Sequence, residues 1–246
     1  MAAIPQFLSP ATDGYQMIFR TILAAVSTVL LFASPAVAKT EAAAPAPAPV
    51  LPTFVDTDPA KDPGDVLLLD LSNGGQVTIR LMPQWAPNHV ERIKTLTRQG
   101  FYNGIVFHRV IEGFMAQTGD PTGTGGGGSP LPDLKAEFNA MPHVRGTVSA
   151  ARTSEPDTAN SQFFIVFYPR FTLDRKYTVF GRVIGGMDVV DRIERGEPPA
   201  SPTRIVRARI AADGDAPPVP ATAPVTTAPT ADITPSVEEL SNSASD

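Results

Sequence analysis

Between about residue 64 and residue 211 the apolar residues fall in short runs, five or six residues long, separated by Gly, Pro, Asn and Asp. Runs of that length bounded by turn residues signal strands, whereas helices need about ten residues or more at helical spacing. Val66–Leu71 and Gln76–Leu81 flank Asn73-Gly74-Gly75, residues that tolerate positive φ, so the spacing predicts an antiparallel hairpin. Six further runs follow: Ile105–Val110, Phe114–Thr118, Thr147–Ala151, Gln162–Phe167, Val179–Ile184 and Ile205–Ile210. Helical spacing appears twice. Pro87 opens a pattern in which Val90, Ile93 and Leu96 share one face and Gly100 is placed to end it, and Met187–Glu194 forms a shorter second helix. No internal repeat is present. Eight short strands and two helices predict a mainly β fold: a closed eight-stranded antiparallel β-barrel capped by two α-helices.

Outside that span the pattern stops. Six of the 26 prolines lie in residues 39–63 and six more follow Asp213, in stretches with few large apolar side chains to offset the entropy of ordering them. Residues 39–63 therefore read as a disordered Pro/Ala linker and 212–246 as a disordered Pro/Ala/Thr-rich tail, which leaves 64–211 as one domain of ordinary size. Near the N-terminus, Arg20 precedes the apolar run Ile22–Phe32, and Ala36-Val37-Ala38 supplies the small-x-small pattern of a signal-peptidase site. Residues 1–38 thus read as an N-terminal extension and signal peptide cleaved after Ala38, and the chain as exported and periplasmic. The apolar run is shorter than the ~20 residues that span a bilayer, so no membrane insertion of the mature chain is expected.

Composition removes several classes of function. With a net charge of −5 and its basic residues scattered, the chain lacks the clustered positive face of a nucleic-acid binder. The absence of Cys excludes disulfides, thiol catalysis and thiolate-bound zinc, and three His are thin material for any other metal site. No metal and no cofactor is expected.

Three segments combine polar and aromatic residues in a way that core packing alone does not select. The first, FHRVIEGFMAQTGD, runs from Phe107 to Asp120; the second, Thr147–Phe167, ends in SQFFIVF; the third is LDRKYTVFGRV, Leu173–Val183. In order and content they resemble the signatures of the cyclophilin family of peptidyl-prolyl cis-trans isomerases, and the likeness covers nearly all of residues 65–211. The resemblance implies an eight-stranded barrel with a substrate groove on its outer surface. It makes Arg109 the catalytic arginine, with Gln117 beside it, and places Phe114, Met115, Phe164 and Leu173 around the substrate's proline ring. Gln162 supplies a hydrogen bond, Ala151 and Arg152 line the groove through their backbone, His108 precedes the arginine, Gly123 borders a neighbouring pocket, and Tyr177 stands where relatives often carry His. The implied function is isomerisation of X-Pro bonds to assist folding of exported proteins, by a monomer whose partners are proline-containing segments of unfolded or exported chains. The alternative is a proline-binding chaperone or scaffold module with little turnover; retention of Arg109 and Gln117 favours the enzyme, since binding alone needs mainly the apolar pocket.

Two features invite other readings. Gly123–Gly128, GTGGGG, formally satisfies a dinucleotide-binding pattern, but Pro130 and Pro132 stand where that pattern needs a helix, so a mobile loop at the groove edge is expected instead. Phe163 and Phe164 alternate to opposite faces of a strand, so only one can line a groove. The chain also departs from many relatives: Thr172 stands where they carry Trp, with Phe171 one position earlier, Ala150 stands where Met is frequent, and the single Trp is Trp85.

Overall fold

The computed structural model of the chain describes residues 54–215. The expected signal segment, most of the linker and the tail from residue 216 lie outside the described residues.

Eight antiparallel strands form one sheet in the order β3-β4-β6-β5-β7-β2-β1-β8. They are β1 (Val66–Leu71), β2 (Gly75–Leu81), β3 (Arg109–Ile111), β4 (Met115–Thr118), β5 (Thr147–Ala150), β6 (Phe163–Val166), β7 (Val179–Gly185) and β8 (Ile205–Ile210). Gly74, at φ 79°, sits in the turn of the β1–β2 hairpin, in the conformation that the Asn-Gly-Gly sequence favours. Helix α1 (Pro87–Arg98) begins at proline, and Gly100, at φ 71°, returns its N–H to the Thr97 carbonyl. The N-terminus of α1 has no cap from its own sequence neighbours. Instead the Glu137 carboxylate accepts the Asn88 and His89 N–H groups at 3.1 and 3.0 Å, which also sets a negative charge against the positive end of the helix. Helix α2 is only Met187–Asp191.

The sheet curls but does not close, which corrects the barrel expectation. Its edge strands β3 and β8 share no ladder. β3 has three residues rather than the six of the run Ile105–Val110, because the stretch leading into it bonds elsewhere. Gly104 and Phe107 donate to the Ile205 and Thr203 carbonyls at 2.7 and 2.8 Å, and Ile205 donates to Ile105. Irregular backbone therefore fills the seam where a closing ladder would run.

The inner face of the sheet and the apolar stripe of α1 enclose the main core, which includes Leu67, Leu69, Ile79, Ile93, Leu96, Phe107, Phe163, Ile165 and Phe180. One structured segment lies before the expected domain start. Residues 56–62 wrap the buried Arg80 guanidinium, which donates to the carbonyls of Asp56, Asp58, Lys61 and Asp62. A buried charge needs such acceptors, so this part of the linker is a collar on the sheet.

Candidate active site

Strand alternation gives the two faces of the sheet different chemistry. Phe163 and Ile165 of β6 point into the main core, while Phe164 and Val166 join a second cluster on the outer face with Phe114, Met115, Ala151, Leu173 and Tyr177. In the β3–β4 hairpin Arg109 pairs with Gln117 and Ile111 with Met115; Gln117 in turn pairs with Phe164 of β6. Because Val110 and Ala116 are core residues, Arg109 and Gln117 must face outward. Register thus places a guanidinium and an amide beside an apolar patch built by four separate stretches of chain.

Arg109 is more enclosed than a groove residue needs to be, at 6% exposure. Its Nε donates to Glu197 Oε2 at 2.7 Å, whereas Nη1 is buried with no hydrogen-bond partner. A cleft of about 390 Å³ lies against it, lined by His108, Arg109, Gln117, Gly123, Thr124, Gly125, Glu197 and Pro198. Burial pushes the His108 imidazole below its usual range; Arg109 adds to that and the Asp120 carboxylate opposes it. A neutral ring is a poor candidate for a general acid at neutral pH.

The glycine-rich wall of the cleft is tied down rather than mobile, a correction to the sequence reading. Asp120, 1% exposed, accepts the N–H groups of Thr122, Thr124 and Gly125 at 2.7, 2.9 and 2.6 Å. Gln117 donates to Gln162 Oε1, and Gln162 donates to the carbonyls of Gly125 and Gly127 at 2.9 and 2.7 Å. Gly123 and Gly125 sit at φ 70° and 91°, where a side chain would be strained, and a Cβ on Gly125 would meet the His108 ring.

The remaining residues border the apolar patch. Arg152 lies over the Tyr177 ring, 4.4 Å from its centroid, and donates to the Lys176, Thr153 and Ser154 carbonyls, which stitches the 152–154 and 175–177 loops together. Leu173 ends a 3-10 turn, Phe171–Leu173, that turns it into the cluster and leaves Phe171 exposed. Trp85 packs elsewhere, with Met82, Met141 and Val179, so no indole stands in for the one missing at Thr172.

Behind the patch is an array that residue order did not reveal. His143 Nδ1 is 2.8 Å from Asp174 Oδ1, and its Nε2 is 3.1 Å from Ser149 Oγ. The spacing is that of a hydrolytic triad, but Ser149 and His143 are wholly buried and the Thr178 carbonyl competes for the hydroxyl proton at 2.9 Å. A nucleophile needs access to its carbonyl, so this array is structural: the His143 ring stacks on Phe164 at 6.2 Å and supports the patch from below.

The family model for the cyclophilin type peptidyl-prolyl cis-trans isomerases matches residues 67–210, more than half of the chain. The chain belongs to this family. Among curated relatives, a probable peptidyl-prolyl cis-trans isomerase of Brucella suis is 47% identical over 175 residues, 65% of this chain and 89% of that protein. The peptidyl-prolyl cis-trans isomerase-like 1 of Aspergillus fumigatus is 40% identical over 149 residues, 57% of this chain and 92% of that protein. Of solved structures, a cyclophilin from Hirschia baltica superposes with a TM-score of 0.58 at 32% identity, covering 62% of this chain and 76% of that one. A cyclophilin type isomerase from Cryptosporidium parvum, solved in the presence of the dipeptide Ala-Pro, gives a TM-score of 0.55 at 27% identity, covering 59% and 98%. This cyclophilin is accordingly an enzyme of the peptidyl-prolyl cis-trans isomerase class with a curled eight-stranded sheet and two helices.

Proposed function

We propose that this cyclophilin isomerises X-Pro bonds in unfolded or newly exported chains, with Arg109 as the catalytic residue and the outer cluster as the proline pocket. The carrying observation is that Arg109, whose buried Nη1 has no hydrogen-bond partner, lines a cleft together with Gln117, which stands in register beside Phe164 of that cluster. An X-Pro bond is held planar by resonance, with a rotation barrier of ~18–20 kcal/mol and an unaided time of tens of seconds or longer. No bond is made or broken. A guanidinium N–H directed at the imide nitrogen favours the pyramidal nitrogen that appears as the peptide twists, so it binds the transition state better than the ground state. A charge-assisted hydrogen bond of roughly 1.5–3 kcal/mol supplies about ten- to a few-hundredfold in rate. The rest falls to Phe114, Met115, Phe164 and Leu173, which grip the ring while the preceding carbonyl rotates, and to Gln117, which sits in register with Arg109.

The wider role follows from the N-terminal segment: cleavage after Ala38 would deliver a monomeric enzyme to the periplasm, where proline-containing exported chains fold. A proline isomerisation assay on the full chain tests the activity; no acceleration above the uncatalysed rate refutes it. Cell fractionation followed by N-terminal sequencing tests the location, with the protein expected in the periplasmic fraction and Lys39 first; absence from that fraction refutes export, and an intact N-terminus refutes cleavage after Ala38.

A further inference from the structure

We infer that Glu197 is a positioning residue for the catalytic guanidinium: it fixes Arg109 through Nε and thereby presents the Nη edge to the substrate imide. The inference rests on the assignment of Arg109 made above. The Glu197 carboxylate lies 2.7 Å from Arg109 Nε, 88 residues away in sequence. An arginine carries four rotatable side-chain bonds, and a donor that must meet a twisting imide within a few tenths of an ångström gains from having them fixed beforehand. Nε is the one guanidinium nitrogen that can be held without occupying either Nη. Glu197 takes it and Nη1 stays without a protein partner, although an unpaired buried donor is costly.

The backbone leading into Glu197 is held by contacts of the three residues before it. Gly196 exchanges two hydrogen bonds with Val110, the residue after Arg109, at 2.8 and 2.9 Å. A Cβ on Gly196 would come within 2.6 Å of Pro199, so the bridge requires glycine there. Arg195 is anchored by Glu112 at 2.7 Å and lies over the Phe167 ring, and the Glu194 N–H reaches Thr203 Oγ1. The carboxylate therefore approaches from a fixed direction. Its own side chain is 48% exposed against 8% for Arg109, so Glu197→Ala takes the partner from a mostly buried guanidinium and should lower Tm. Tm is measured for every variant, and Glu197→Gln, which keeps an acceptor for Nε, holds the test to variants that stay folded.

The test is a double-mutant cycle on the full chain, with kcat and KM measured for a proline peptide and binding of the same peptide measured separately. In Glu197→Ala, kcat should fall roughly five- to thirtyfold as the guanidinium regains rotamer freedom, with peptide binding unchanged within about twofold. Glu197→Gln keeps an oxygen that can accept from Nε and should retain at least about half of the wild-type kcat. In an Arg109→Ala background Glu197→Ala should produce no further loss, because nothing remains to be positioned. An unchanged kcat in Glu197→Ala, a glutamine variant as impaired as the alanine one, or an equal loss without Arg109 overturns the inference. Full turnover by Arg109→Ala alone would instead refute the assignment on which it rests.

Discussion

Asp120 offers a quantitative test of how the cleft wall is held. Its carboxylate is almost wholly buried and collects three backbone N–H groups and the Thr122 hydroxyl within one short loop. Burial alone would raise its pKa, but the hydrogen bonds from the Thr122 hydroxyl and from backbone N–H groups outweigh it and hold the carboxyl below the usual range. Asp120→Ala removes all of these acceptors at once. A hydrogen bond to a charged group is worth about 1.5–3 kcal/mol, but the loop can turn its freed N–H groups to water, so the net loss should be roughly 2–4 kcal/mol rather than the sum. For a domain of this size that is a fall in Tm of roughly 5–15 °C. Asp120→Asn should lose much of the same stability, since its amide turns a donor toward backbone donors. Because Gln162 also grips this loop, the loosened wall should raise KM for a proline peptide more than it lowers kcat. Thermal unfolding and steady-state kinetics read both effects. A Tm within about a degree of wild type, with unchanged KM, would show that the loop does not depend on Asp120.

Three further outcomes follow from the same structure. Burial lowers the pKa of His89, His108 and His143, so the unfolded chain takes up protons more readily than the folded one as pH falls through the ordinary imidazole range; Tm should hold above about pH 7 and decline below about pH 6.5, and a Tm constant from pH 7 to 5 would contradict this. Since no proton is transferred, kcat/KM should stay within about twofold from pH 7 to 9, and a bell-shaped profile would reveal a missed acid or base. Truncation to residue 54 should leave Tm unchanged, whereas truncation to residue 64 strips the acceptors from Arg80 and should lower Tm by roughly 2–10 °C; equal Tm values would show that the collar is dispensable.

Much of this was legible in the residues because the signals are local. Alternation along β6 sorts Phe164 from Phe163, and Pro87 and Gly100 bracket α1, since strand pleat and helix ends impose their demands within a few residues. The misses have physical causes too. The open seam depends on whether residues 104–107 bond to β8 or extend β3, and the same apolar run suits both. The collar around Arg80 is made of backbone carbonyls, which leave no mark in side-chain identity, and the prolines of that stretch read as linker. The Arg109–Glu197 and His143–Asp174 contacts join common polar residues far apart in sequence and are visible only once the fold has brought their segments together. The glycine run looked mobile because its anchor, Asp120, sits before it rather than within it.

The central claim, that Arg109 lowers the barrier electrostatically while the apolar cluster binds the ring, is tested most directly by comparing turnover with binding in Arg109→Ala and Arg109→Lys. Alanine should lower kcat/KM at least about tenfold, and lysine, which keeps the charge but loses the planar fork, should recover little of it. Both variants should stay folded and bind a proline peptide nearly as well as the wild type, because Phe114, Met115, Phe164 and Leu173 remain in place. Full isomerase activity in both folded variants would contradict the account and leave catalysis to the apolar cluster alone.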